Sequence, residues 1–318
     1  MPMPMPMPTP PARRTVLTAL GAGAGAVLTT GLAPAASASA SSGTRAGAGP
    51  RVARALAELE RERGARLGVY ALETDTGRAV THRADELFPM CSVFKTLAAA
   101  AVLRDLDHDG SVLARRIHYT EADIERSGYS EWTKRPAHLA NGLTIAELCE
   151  VSITYSDNTA ANLLLRELGG PSAVTRFARS LGDPVTRLDR WEPELNTAEP
   201  DRLTDVTTPR AIGRTYARLV LGDALGRADR GLLTDWLCAN TTSSARFRKG
   251  LPAEWRLGDK TGGGSYGTNN DVGIAWRPHG SPLVMAVLTT KPAQDAEADN
   301  ELVSRTAGIL AEAFADRP

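Results

Sequence analysis

Segments that read as β-strands lie near the two ends of this sequence, and residues 89–237 between them are patterned mostly as helix. Leu67–Leu72 alternates like a strand, Asp75-Thr76-Gly77 is a turn, and Arg78–His82 pairs back as a hairpin. After Pro252 come three short apolar runs, Arg256–Asp259, Asp271–Arg277 and Leu283–Thr290, separated by Gly, Pro and Asn. A lone hairpin is marginally stable in water. The economical solution is therefore one antiparallel, five-stranded sheet built from both chain ends and flanked by terminal helices, read at Val52–Arg63 and Glu297–Phe314. The clearest helices between them are Phe94–Leu106, Thr144–Tyr155, Ala160–Leu168, Ser172–Leu181 and Pro209–Leu221. The expected organisation is an α/β subdomain (residues 49–84 and 248–318) with an inserted all-α subdomain (residues 85–247).

Residues 1–40 read as an export signal. A Met-Pro repeat leads to Arg13-Arg14 and then to a stretch of Ala, Gly, Val and Leu running to about Ala33. Gly21, Gly23, Gly25 and Gly31 make it too weakly apolar for an anchor. Ala36-Ser37-Ala38 or Ala38-Ser39-Ala40 offers small-residue cleavage, and the paired arginines favour the Tat route over Sec. The expected product is exported to the cell envelope or beyond it, with no membrane attachment in its mature form.

Lys+Arg and Asp+Glu each number 37, so nothing in the charge balance asks for a nucleic acid or an anionic membrane. Cys91, Cys149 and Cys238 are too few and too widely spaced for a zinc site or a disulfide framework. No metal or other cofactor is expected. Only five basic residues are lysines: Lys95, Lys134, Lys249, Lys260 and Lys291. Arginine carries charge everywhere else, which directs attention to the lysines wherever a proton must be released.

Ser92-Val-Phe-Lys95 opens an unusually apolar helix, and residues three apart share a face, so Ser92 Oγ and Lys95 Nζ can meet. A lysine in such surroundings releases its proton more readily, and a serine at a helix start sits where amide dipoles favour an oxyanion. Alone, this short motif is weak. Ser156-Asp157-Asn158 by itself reads best as a helix cap, and Lys260-Thr261-Gly262 at the end of a strand reads best as part of a hairpin turn.

In this order the three triplets resemble those of class A serine β-lactamases, of the actinobacterial exported type, and the similarity runs over nearly the whole chain after residue 40. Arg187-Leu-Asp-Arg-Trp-Glu-Pro-Glu-Leu-Asn196 is similar to that family's omega loop, as are Met90-Cys91 and Trp255-Arg-Leu-Gly-Asp-Lys260 to their surroundings. The resemblance implies hydrolysis of the β-lactam amide of penicillins and cephalosporins through a serine acyl-enzyme, and so antibiotic resistance. It implies a catalytic set of Ser92, Lys95, Ser156, Glu192 and Lys260. It also implies substrate contacts from Asn158, Asn196, Thr261, Gly262 and Gly263, and a structural ion pair between Arg190 and Asp205. The implied partner is a small-molecule β-lactam, met by a monomer.

Two departures from the family pattern stand out. Asn269 occupies the place of a guanidinium that commonly binds the substrate carboxylate, and Arg246 stands where related actinobacterial-type enzymes supply that group. An insertion of about four residues near Ser127–Pro136 leaves Tyr129 and Trp132 as alternatives for the aromatic wall of the site. Cys149 matches a family disulfide position, but Ala99 stands at its partner's place. A penicillin-binding D-alanyl-D-alanine peptidase or acylated sensor would share the triplets but not the Glu192–Asn196 segment. Gly263-Gly-Ser265-Tyr-Gly267 also fits the nucleophile elbow of α/β-hydrolases, yet it leads into a predicted strand where that elbow needs a helix.

Overall fold

A computed structural model describes residues 48–315. The export signal expected over residues 1–40 lies outside them. Helix α1 (Ala48–Glu62) leads into the hairpin of β1 (Arg66–Glu73) and β2 (Ala79–His82), with Val69 opposite His82. Helix α2 (Phe94–Ala101) is buried along its whole length and continues as a π-helical turn, Val102–Leu106. Its run Ala98–Ala101 presents little bulk, which suits a helix surrounded on all sides. Around it lie α3 (Ile145–Thr154), α4 (Asn158–Leu168), α5 (Ser172–Ser180), α6 (Pro209–Val220) and α7 (Arg227–Cys238). Strands β3 (Arg256–Gly264), β4 (Thr268–Trp276) and β5 (Leu283–Thr290) and helix α8 (Asn300–Phe314) follow.

The five strands form one antiparallel sheet in the order β2-β1-β5-β4-β3, so the two chain ends meet at β1–β5, where Val69 faces Val287. Alternation decides which side each residue serves. Val69, Ala71, Met285 and Val287 pack with Leu56 and Leu59 of α1 and Leu302, Val303 and Leu310 of α8. Tyr70, Val272, Ile274 and Ala286 point the other way, to Ile212 and Tyr216 of α6 and the helical block beyond. With both faces covered, β5 shows the nearly continuous apolar run of a fully buried strand. Gly213 lets α6 lie this close: a Cβ there would stand 2.7 Å from Tyr70 Cδ1.

Thr144 closes a capping box with Glu147 at the start of α3, and Asp157 accepts from the Ala160 N–H at the start of α4. Each such cap contributes about 1 kcal/mol. Three boundaries differ from the sequence expectation. Strand β3 does not stop before Lys260 but runs to Gly264, and β4 starts at Thr268, with Gly263 opposite Asn269. Backbone pairing needs no side chain, so glycines that read as a turn extend the ladder instead. The expected Phe94–Leu106 helix is α-helical only to Ala101, and the last helix begins at Asn300 because Asp299 caps it through the Leu302 N–H. Short helices at Glu121–Ser127 and Pro136–Asn141, and α7, were not among the segments singled out. Among the described residues, no helix is long and apolar enough to cross a membrane.

Candidate active site

The edge strand β3, the start of α2, the α3–α4 connection and the segment around Glu192 converge on one cluster. Ser92 lies in a 3-10 turn, Cys91–Val93, just before α2. The backbone ahead of it is pinned from the sheet. Asn270 donates through Nδ2 to the carbonyls of Pro89 (2.9 Å) and Met90 (3.2 Å) and accepts from the Thr289 N–H. Cys91 holds φ at +48°, the left-handed region that non-glycine residues rarely occupy, and this strain falls beside the serine.

The hydrogen bond from Ser92 Oγ runs to Glu192 Oε1, at 3.2 Å. Lys95 Nζ sits 3.0 Å from the same oxygen, so serine and lysine meet at the carboxylate rather than only through their helical spacing. Lys95 also donates to Asn158 Oδ1 (2.7 Å) and the Ser156 carbonyl (2.8 Å), and reaches Ser156 Oγ at 3.4 Å. Lys260 Nζ approaches Ser156 Oγ from the other side at 3.0 Å. Burial, then repulsion from Lys95 and Arg246, pushes the Lys260 ammonium well below the usual lysine range. Ser156 thus lies between two lysines.

Glu192 is 1 % exposed, and its place depends on groups far away in sequence. Asn162 of α4 clamps its backbone, accepting from the Glu192 N–H at 3.0 Å and donating to its carbonyl at 2.9 Å. Asn196 Nδ2 donates to Glu192 Oε2 at 2.5 Å, while the buried Asn196 Oδ1 has no partner among the described residues. Arg190 Nε lies 2.5 Å from Asp205 Oδ2, and Asp205 Oδ1 accepts from the N–H groups of Asp189 and Arg190. Gly264 lets this segment rest on β3, since a Cβ there would come within 2.5 Å of the Asn196 carbonyl oxygen.

Arg246 Nη1 donates to the carbonyls of Gly262 (3.0 Å) and Asn270 (2.8 Å), and Nε to Asn300 Oδ1 (3.1 Å). Asn269 donates to the same Asn300 oxygen, so Arg246 and Asn269 share one anchor. Nη2 of Arg246 makes no hydrogen bond among the described residues. Gly263 is exposed at the cleft-side end of β3. At the opposite edge, the Tyr129 carbonyl accepts from the Asn158 N–H and its ring is 53 % exposed. Trp132 is stacked against Tyr155 and His138 instead, which leaves Tyr129 as the free ring. Cys91, Cys149 and Cys238 are free thiols.

On the neighbouring strands β3 and β4, Asp259 and Asp271 are fully buried, and Oδ1 of each lacks a hydrogen-bond partner among the described residues. Burial raises both carboxyls, and the Asp259 charge adds to it at Asp271, which lies well above its ordinary range; the pair therefore favours one shared proton. The sign follows from the raised value: the proton-bearing form is favoured by folding, fully below the unfolded carboxyl range, and this stabilisation is lost as pH rises. Asp271→Asn keeps an acceptor for the Phe247 N–H and offers Asp259 a permanent donor. It should raise Tm by about 2–4 °C at pH 8, with a smaller gain at pH 5. Thermal unfolding at the two pH values checks this; an equal loss at both contradicts the shared proton.

Asn162, Asn240, Thr242, Asn270 and Asn300 were not singled out from sequence. For Asn162 a signal existed: it follows Asn158 by four residues, one turn along the same helix face. The others act across the fold and leave no local pattern.

Superposition on solved structures places the chain in a known class. It matches the β-lactamase from Streptomyces albus G with a TM-score of 0.83 and 66 % identity, covering 83 % of this chain and 100 % of that one. An ancestral class A β-lactamase matches with a TM-score of 0.78 and 52 % identity, covering 83 % and 100 %. The fold is that of class A β-lactamases. The chain belongs to the β-lactamase enzyme family, whose family model matches residues 51–314. The β-lactamase of Streptomyces lavendulae is 66 % identical over 265 residues, covering 83 % of this chain and 87 % of its own length.

Proposed function

We infer that this enzyme hydrolyses the β-lactam amide of penicillins and cephalosporins through an ester on Ser92, and so confers resistance to them. The observation that carries the reading is the 3.2 Å contact between Ser92 Oγ and Glu192 Oε1, with Lys95 Nζ 3.0 Å from the same oxygen. A hydroxyl at that distance has a base to take its proton as it attacks the lactam carbonyl. The oxyanion is held by the backbone N–H groups of Ser92 and Gly263. As the C–N bond breaks, Ser156 gives its proton to the departing nitrogen and is resupplied from the lysines on either side, Lys95 and Lys260. Lys95, left short of a proton, takes back the one Glu192 received from Ser92, and the ionised Glu192, with Asn196 beside it, then takes a proton from water, which cleaves the ester; that proton returns to Ser92 Oγ as it leaves. No metal or cofactor enters these steps.

Asn158, Thr261, Gly262 and Gly263 line the substrate, Tyr129 walls it, and the free Nη2 of Arg246 serves the substrate carboxylate. Arg190 and Asp205 close the neck of the omega loop. We read residues 49–84 with 248–318 as the α/β subdomain and residues 85–247 as the helical one, with the cleft between them. Residues 1–40 direct export, by the Tat route from Arg13-Arg14, and the mature enzyme works as a monomer. A penicillin-binding peptidase is disfavoured by Glu192 lying against the serine, because a carboxylate there is a base for clearing the β-lactam ester with water, the step that separates an enzyme that turns over from one that stays acylated.

A chromogenic cephalosporin tests the reading directly: steady turnover, with colour continuing far past one equivalent, is expected, and a single-equivalent burst would support the peptidase. In the same assay Arg246→Ala should lower kcat/KM about thirtyfold, mainly through KM, as expected for about 2 kcal/mol of charge-assisted binding. No change would move carboxylate recognition to another group.

A further inference from the structure

The Thr261 hydroxyl is engaged from behind the edge strand. Asn240, just past α7, donates through Nδ2 to Asp259 Oδ2 at 3.0 Å. Its Oδ1 accepts from the backbone N–H of Thr242, also at 3.0 Å. A backbone N–H can only donate, so the amide's orientation is fixed without ambiguity. Thr242 Oγ1 lies 2.8 Å from that same amide oxygen and gives it its single proton. Thr242 Oγ1 is also 2.5 Å from Thr261 Oγ1. With its own proton committed, Thr242 has only lone pairs to offer there. Thr261 must be the donor.

We propose that Thr242 is a positioning residue that holds the Thr261 proton away from the cleft, so that a substrate carboxylate engages Thr261 only by drawing that proton off Thr242. This rests on the reading that Thr261 meets the substrate carboxylate. When the substrate arrives, the Thr261 O–H rotates from one acceptor to another, and no covalent bond changes. An ionised carboxylate is a far stronger acceptor than a hydroxyl, so it completes the exchange, whereas a neutral group in its place gains little. The arrangement trades affinity for selectivity toward anions. Because the exchange happens on binding, it affects ground and transition states alike and acts through KM.

Thr242→Val removes the acceptor at nearly constant volume while leaving the backbone N–H on Asn240. It should lower KM for benzylpenicillin about three- to tenfold, the effect of one neutral hydrogen bond, with kcat within twofold. Thr242→Ser should restore the original KM, and Thr242→Ala replaces the valine variant if that one unfolds. Thr261→Val should raise KM, and adding Thr242→Val to it should change nothing further. If Thr261→Val raises KM while Thr242→Val leaves it unchanged or raises it, the positioning role is overturned. If Thr261→Val leaves KM unchanged, the carboxylate reading itself fails and takes the positioning role with it.

Discussion

Ser92→Ala should abolish covalent labelling by a fluorescent penicillin and lower kcat/KM by about a millionfold, the loss typical of removing a nucleophile that works as part of a unit. The fold should survive. Ser92 is 7 % exposed and, among the described residues, its hydroxyl makes a single hydrogen bond, to Glu192 Oε1. Removing it leaves that oxygen with Lys95 at 3.0 Å and the other with Asn196, so no buried charge is stranded. The outcome is read as a missing fluorescent band on a denaturing gel beside an unchanged Tm. Labelling that persisted, or that mapped to Ser265, would overturn the assignment. The geometry already argues against Ser265, whose N–H donates to the Asn196 carbonyl in the turn between two strands and not ahead of a helix.

The sheet was legible because its strands are short apolar runs at the chain ends with no other partners within reach, and β1 does pair with β5 across more than two hundred residues of sequence. The order of the triplets was legible for a different reason, the family resemblance. What stayed hidden follows from how each residue works. Ser92 and Lys95, three apart, invited a direct pairing, but Glu192, a hundred residues on, supplies the oxygen both of them reach. Lys260-Thr261-Gly262 reads as a turn when glycine is taken as a chain-breaker, and becomes an edge strand because β4 lies alongside to accept backbone pairing. Asn270 and Asn240 look like ordinary loop or strand polar residues until the fold brings Met90 and Asp259 to them. Tyr129 and Trp132 differ only through what surrounds them: Tyr155, His138 and the Arg135 guanidinium pack against one ring and leave the other open. A buried amide reveals its partner only after the chain has folded, because its binding energy depends on distance and angle rather than on sequence neighbours.

Glu192→Ala separates the two halves of the reaction. Asn162 holds residue 192 through its backbone N–H and carbonyl, and Arg190 with Asp205 closes the segment's neck, so the loop does not depend on the lost side chain. Lys95 keeps its bonds to Asn158 and the Ser156 carbonyl when its carboxylate partner is gone, and Ser92 remains able to attack with the lysine as base. Acylation should therefore continue at a reduced rate. Deacylation has no such substitute, because Asn196 lies beside Glu192 and an amide cannot accept a proton from water to make it a nucleophile. Losing the general base should slow ester cleavage by about a hundred- to ten-thousandfold. Intact mass spectrometry after mixing with benzylpenicillin should show the variant heavier by one drug molecule for minutes or longer, while the unaltered enzyme returns to its free mass within the dead time. Equal and rapid turnover in both would assign the water-activating role to another carboxylate. Glu194 is the nearest in sequence, two residues further along the same segment, but it is exposed, so a base there would have to act from solvent and not from within the cluster that Ser92 and Lys95 share.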